Sequence, residues 1–375
     1  MPRSVHISDF GETMKTLTNI SSRGFFLLLG ILVSLNTFSQ DSVLMEIMKR
    51  GIDHSEDGSY ELALLEYQKA LGIEPKSGFV NYEIALAHYQ MGNKTKALEY
   101  AKKAVKEDSE HGVQATIMIG TVHDELGNYN ESVKAFKKGI KKFGNYYLIW
   151  FNLGVTANTA RDFDLAEEAF LASIANRLEH VNSHYGLASV MMRQNRRVEA
   201  LYPLAFFLML EPNSDRSIMA YQDIHRLMKR GVSMNAGDTG NINITLNVAS
   251  DKTEDRGYRS ADLMMSMLQA ARTLDKGADS KHEAFKDNTA SVFQYVSELE
   301  LDQTDLYTTY YIPLFAALAG SEHFDTWCRY VRQNSDEQSA TWVAENQEAL
   351  SFMFDWLEAL NLEPGAGSSS ESESE

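Results

Sequence analysis

The chain has 375 residues and a single cysteine, Cys328, which excludes an intrachain disulfide framework and a multi-thiolate metal site. Six prolines are few for this length, and with 16 methionines the composition favours helices over a sandwich or barrel. Basic charge is in deficit: 35 Lys and Arg face 52 Asp and Glu, a net −17. A partner built on phosphates needs the opposite balance, so nucleic acid is not expected. The deficit is also local. Residues 44–214 hold 19 bases and 22 acids, whereas 215–375 hold 13 and 27. Long apolar runs are missing too. Gly24–Leu35 is the longest, about 12 residues where a spanning helix needs about 20.

That run has a specific context. Lys15 and Arg23 precede it, and the small and polar stretch Asn36–Gln40 follows it. This is the order of a secretory signal peptide, residues 1–39, with cleavage near Ser39–Gln40 and Thr37 and Ser39 as the small flanking residues. Met14-Lys15 offers a second start beside Met1, and no lipid-anchoring cysteine follows the run. An exported chain without disulfides is expected in the periplasm or at the cell surface of a bacterium, with no stable transmembrane anchor after cleavage.

From Leu44 the sequence repeats with a period near 34, in blocks 44–77, 78–112, 113–146, 147–180 and 181–214. Gly51, Ala85, Gly120, Gly154 and Ala188 recur in the first helix of each block. Ala63, Ala97, Ser132, Ala166 and Ala200 recur in the second, followed four positions later by Tyr67, Ala101, Phe136, Phe170 and Leu204. Turn signals sit between them: Asp57-Gly58, Gly92-Asn93, Gly127-Asn128 and Arg161-Asp162. Glu74-Pro75 and Glu211-Pro212 close two blocks, while Ser109 and Gly144 stand where proline would close two others.

The pattern resembles the tetratricopeptide repeat (TPR) family over residues 44–214. The resemblance implies an all-α fold: a right-handed TPR superhelix of five helical hairpins, closed by a cap helix at 215–230. Pro203 falls inside the second helix of block five, where its missing donor predicts a kink.

In such a superhelix the first helices line the concave surface, which makes their outward side chains the expected peptide-binding groove. These are Tyr82, Glu83, Leu86 and Tyr89; Ile117, Thr121 and Asp124; Phe151, Asn152, Val155 and Asn158; and Tyr185, Ser189 and Met192. Aromatic rings with amides and hydroxyls suit an extended peptide or protein segment. Family members that bind chaperone C-terminal carboxylates use Lys and Asn at set positions. Tyr82, Leu86, Ile117, Thr121, Phe151 and Val155 stand there instead, so an acidic C-terminus is not the expected ligand. Lys94, Lys96, Lys102, Lys103 and Lys106, then Lys134, Lys137, Lys138, Lys141 and Lys142, mark the second helices as a basic back. It reads first as a solvated face; the alternatives are docking of the acidic second half of another copy, which would give a homo-oligomer, or of an anionic envelope surface.

After the cap, 231–257 reads as a linker with one strand, in which Ile242, Ile244, Leu246 and Val248 alternate with polar residues. Helices are expected at 258–275, 281–299, 305–319, 322–333 and 337–360, forming a helical C-terminal domain at 258–362 that is rich in aromatics. Residues 363–375 (ending SSSESESE) read as a disordered acidic tail.

Motifs for chemistry are thin. Asp53–Gly58 opens like a calcium loop, but position twelve is Leu64 and cannot close it. His180 and His184 have metal-ligand spacing without the acid that a metalloprotease needs, and His282-Glu283 lacks a second histidine. Phosphate-loop, dinucleotide and nucleophile-elbow motifs are absent. Cys328 reads as buried packing, and Asp302, Asp305, Asp336 and Glu337 as helix-start residues. No catalytic residue, metal or cofactor is therefore expected. The expected role is an exported scaffold or adaptor in envelope complex assembly. The alternative is an enzyme or small-molecule binder in the aromatic-rich C-terminal domain, with the repeats as support.

Overall fold

The computed structural model describes residues 42–107, 111–230, 232–234, 242–244, 257–274, 281–301 and 305–362. The expected signal peptide and acidic tail lie outside the described residues. The chain divides into two compact units, Met1–Ala115 and Thr116–Glu375, whose boundary falls within one helix, Gly112–Glu125.

The first unit holds α1 (42–56), α2 (Tyr60–Ile73), α3 (Gly78–Gln90), α4 (Lys94–Glu107) and the start of α5 (Gly112–Glu125). Its core gathers Ile47, Met48, Ala63, Tyr67, Ala70, Val80, Ile84 and Ala87. The small residues have a direct steric reason. A Cβ on Gly51 would lie 2.4 Å from the Tyr67 ring, so only glycine lets α2 seat its ring on α1. In the next hairpin Ala85 and Ala101 are both fully buried, small against small in place of glycine against ring.

The second unit continues with α6 (Tyr129–Phe143), α7 (Tyr147–Ala160), α8 (Phe163–Asn176), α9 (Val181–Arg193), α10 (Arg197–Leu210) and α11 (Asp215–Lys229). The same glycine-under-ring contact recurs: a Cβ on Gly120 would lie 2.2 Å from Phe136, and one on Gly154 would lie 2.9 Å from Phe170. Ser132, at the matching small position of α6, donates its hydroxyl to Gly120 O at 2.8 Å.

Each hairpin turn places one residue in the left-handed region, at the period seen in the sequence. Gly58, Gly92 and Gly127 have φ of 75, 76 and 74°, followed by Arg161 at 63° and Asn195 at 67°. Arginine pays for that conformation with steric strain, whereas glycine does not. Arg161→Gly is therefore expected to stabilise the second unit by about 1 kcal/mol, read as a shift of the denaturation midpoint. Substitution of Gly127 by Ala should move it the other way.

After α11 the chain forms a two-stranded antiparallel ribbon, β1 (Val232–Met234) with β2 (Ile242–Ile244), pairing Val232 with Ile244 and Met234 with Ile242. The expected strand thus has a partner that alternation did not reveal. Leu246 and Val248 lie outside the described residues. Then come α12 (Arg259–Leu274), α13 (Lys281–Ser297), a π-turn (Tyr307–Tyr311), α14 (Ile312–Ala319), α15 (Phe324–Arg332), α16 (Glu337–Glu345) and α17 (Gln347–Ala359).

Two sequence expectations need correction here. The helix expected over 337–360 is two helices, parted at Asn346, whose side chain donates to Trp342 O at 2.7 Å and competes with the helical ladder. At 305–319 the turn widens before Pro313: Ile312 N reaches back to Tyr307 O in an i→i−5 bond. Pro203, in contrast, sits inside α10 and the helix continues through it from Arg197 to Leu210.

The second unit has one continuous core. It runs from Ala157, Phe170 and Leu187 of the repeats, through Tyr202, Phe207 and Tyr221, to Phe293, Tyr311, Phe315, Trp327 and Met353. Trp327 is fully buried, with ring centroids of Phe324 and Phe315 at 5.3 and 5.8 Å. The helix expected to cap the repeats starts with a capping box between Ser214 and Ser217 and packs on α10. It also contacts α12 and α15, so the helix that covers the last repeat is itself packed on by the C-terminal helices. Among the described residues no helix is long and apolar enough to cross a membrane.

Candidate functional site

The expected groove residues fall on the first helix of their hairpins, and none is fully buried. In the first unit, α3 carries Tyr82, Glu83, Leu86 and Tyr89, all half-buried. Tyr67 OH donates to Glu83 Oε2 at 3.3 Å, and burial holds the Glu83 carboxyl above its ordinary range. Burial and the neighbouring Glu83 also push the Tyr82 phenol up. The ring centroids of Tyr82 and His111 lie 6.5 Å apart.

In the second unit, Ile117, Thr121 and Asp124 lie half-buried on α5, and Phe151, Asn152 and Asn158 do so on α7. Val155 is 40% exposed. Tyr185, Ser189 and Met192 lie half-buried on α9, which packs directly against α7. Arg193 links the two helices by donating to Asn158 O at 3.2 Å.

The amides on this face present acceptors. Asn152 Nδ2 is spent on Leu148 O of its own helix at 2.8 Å, which leaves its oxygen for another donor. Asn158 Oδ1 is buried and has no hydrogen-bond partner among the described residues.

Sequence reasoning missed an aromatic cluster at the N-terminal end of α7. His180, the residue before α9, sets its ring edge-on to Phe151 and Tyr147 at 4.8 and 4.9 Å. Its Nδ1 lies 2.7 Å from Ser183 Oγ, and burial with Arg177 nearby holds the imidazole below its ordinary value. The Arg177 guanidinium lies over the Tyr147 ring at 4.9 Å and donates to its hydroxyl at 3.0 Å. The doublet Tyr146-Tyr147 was the available signal, but it precedes the helical positions on which the face was counted. Tyr185 packs on Phe207 at 5.0 Å and carries Arg216 over its ring at 5.8 Å.

The other motifs resolve as structure. His184 is fully buried and uses both nitrogens: Nε2 donates to Leu178 O at 2.7 Å and Nδ1 accepts from Tyr311 OH at 2.5 Å. Cys328 is buried, and burial drives its thiol well above the ordinary range. Asp305 and Asp336 accept backbone N–H bonds at helix starts, from Tyr307 at 3.0 Å and Ser339 at 3.0 Å. Asp302 lies outside the described residues.

His282, Glu283 and Asp325 bring ligand-type atoms within 4.8 Å of one another. Cations of the protein already occupy them. Lys286 pairs with Glu283 at 2.7 Å and with Asp325 at 3.3 Å, Arg329 pairs with Asp325 at 2.9 Å, and Arg332 donates to His282 Nδ1 at 2.6 Å. Three positive side chains around the donors do not fit a metal ion.

Family models described as tetratricopeptide repeat match residues 80–111, 117–177 and 159–205. No curated protein matches the sequence. Among solved structures, PilF of Pseudomonas aeruginosa aligns with TM-score 0.42 and 17% identity, over 51% of this chain and 90% of its own. PilW, titled a type IV pilus biogenesis factor, aligns with TM-score 0.41 and 18% identity over 50% and 90%. MamA from Desulfovibrio magneticus RS-1 aligns with TM-score 0.39 and 18% identity over 47% and 97%. The sequence matches fall on the hairpins whose glycine contacts and left-handed turns repeat, so residues 80–111 and 117–205 form a tetratricopeptide repeat segment.

Proposed function

We propose that the protein is an exported scaffold or adaptor that captures an extended protein segment on the first-helix face of its repeats, in the assembly of a bacterial envelope complex. One observation carries this reading: α7 and α9, packed side by side, present half-buried aromatic and amide side chains together. Rings of Phe151 and Tyr185 offer apolar area to a partner's side chains, and the Asn152 oxygen suits an N–H group of an extended backbone. The apolar run at 24–35 and its flanks support export.

Replacement of Tyr82, Phe151 and Tyr185 by alanine is expected to reduce partner capture at least tenfold while the helical circular dichroism stays unchanged. The three side chains are half-buried, so the fold should survive. Full capture by the folded triple variant would overturn the assignment. Export is read separately, from the N-terminus of the chain recovered from the envelope fraction. Gln40 is expected there, and an intact Met1 or Met14 terminus would contradict cleavage.

A further inference from the structure

A cavity of ≈ 200 Å³ opens among α11, α12 and α13, within the second unit. Its chemistry departs from the region around it. Residues 215–375 carry twice as many acids as bases, yet among the described residues the cavity lining contains Lys229, Arg272 and Lys281 and no carboxylate. Ile224, Met228 and Phe285 supply an apolar floor beneath them. Lys229 and Lys281 form no ion pair among the described residues. Arg272 is oriented by Asn288 Oδ1 at 2.8 Å and by the exposed Asp287 carboxylate at 3.2 Å.

Two further features suit an anion. Lys281 and Ala284 belong to the first turn of α13, whose backbone N–H groups carry the positive end of the helix dipole. His225 also lines the cavity, and burial together with Lys229, Arg332 and Lys281 pushes its imidazole down to about 4. Its tautomer follows from a chain of bonds. Arg332 Nε donates to Tyr221 OH at 3.0 Å, and that hydroxyl lies 2.6 Å from His225 Nε2. With Tyr221 donating onward, the imidazole proton sits on Nδ1, a nitrogen with no hydrogen bond among the described residues. A neutral donor thus joins three cations at one cavity.

We propose that this cavity binds a small organic anion, a carboxylate or phosphate monoester with an apolar body, its head held by Lys229, Arg272 and Lys281 and its body resting on Ile224, Met228 and Phe285. The volume is below the roughly 300–1,000 Å³ of drug-sized sites, which limits the ligand to a single ring or short chain. The site is separate from the repeat face, so either reading stands if the other fails.

The test is calorimetric titration of the full chain with benzoate, phenyl phosphate and the neutral isostere benzamide. Saturable binding of at least one anion at about 1 mM or tighter is expected, with benzamide at least about tenfold weaker. Preference between the two anions assigns the head as carboxylate or phosphate. Lys229→Gln/Lys281→Gln changes two exposed side chains, so it should fold normally, and it should weaken the anion at least about tenfold. Absence of saturable binding by both anions, equal binding of benzamide, or undiminished binding in the folded double variant would each overturn the proposal.

Discussion

Arg197→Ala should cost about 3–5 kcal/mol of stability in the second unit, the largest loss expected from any one charged side chain here. Arg197 is 5% exposed at the start of α10. Its Nη1 donates to Arg230 O at 2.6 Å and Leu227 O at 3.4 Å, at the end of α11. Nε and Nη2 reach Asp262, through its carboxylate and carbonyl, and Ser266 Oγ on α12. One side chain therefore closes α10, α11 and α12 together. Its removal leaves carbonyls without donors in a place that water reaches poorly, and each such loss to a charged donor is worth about 1.5–3 kcal/mol. Arg226→Ala is the control. Its pair with Asp223 is solvent-exposed on the arginine side, so it should change stability by under about 0.5 kcal/mol. Equal denaturation midpoints for Arg197→Ala and the parent would contradict the account.

Mild acid should destabilise the protein well before its carboxylates titrate. Burial pushes His184 down to about 3 from an ordinary value of 6.5, and His225 down to about 4. Below pH 6.5 the unfolded chain takes up protons that the folded imidazoles refuse. Stability present above pH 6.5 is thus lost as pH falls, by about 1.4 kcal/mol per unit for each histidine until the folded value is reached. For His184, fully buried, the loss is about 2 kcal/mol by pH 5. Asp325, held at about 2, loses its contribution only at much lower pH, while Glu83, raised by burial, gains stability as pH falls and partly opposes the histidines. His184→Gln keeps a donor for Leu178 O and should weaken the protein at neutral pH while flattening the slope between pH 7 and 5. Denaturation of both chains at several pH values reads this, and parallel slopes would contradict it.

The repeats were legible because their geometry repeats in one dimension. A ring on a glycine and one left-handed residue per turn recur at the period, so Gly51, Gly120, Gly154 and the turn glycines mark them in sequence. Where chemistry changes but geometry holds, as at Arg161, period alone carried the reading, while the left-handed turn at Asn195 was not marked in the sequence. The exposure of the face also followed from helical spacing, since all fourteen expected residues remain at least partly open.

Beyond residue 214 nothing repeats, and contacts join residues far apart in sequence. Arg197 meeting Asp262, His184 meeting Tyr311 and Arg332 meeting His282 left no local pattern. The break at Asn346 came from one side chain competing with its helix, inside an otherwise helical run. The basic cavity was hidden because its cations lie on three helices within a strongly acidic half of the sequence.

The central claim is that a partner segment lies on the first-helix face, and position-resolved photocrosslinking tests it most directly. A benzophenone side chain at Val155, exposed on α7, or at Ser189 on α9 should yield one discrete adduct with the partner. The same group at Lys138, exposed on the second helix α6, should yield none. Adducts at Lys138 with none at Val155 or Ser189 would place the partner on the basic face and contradict the account.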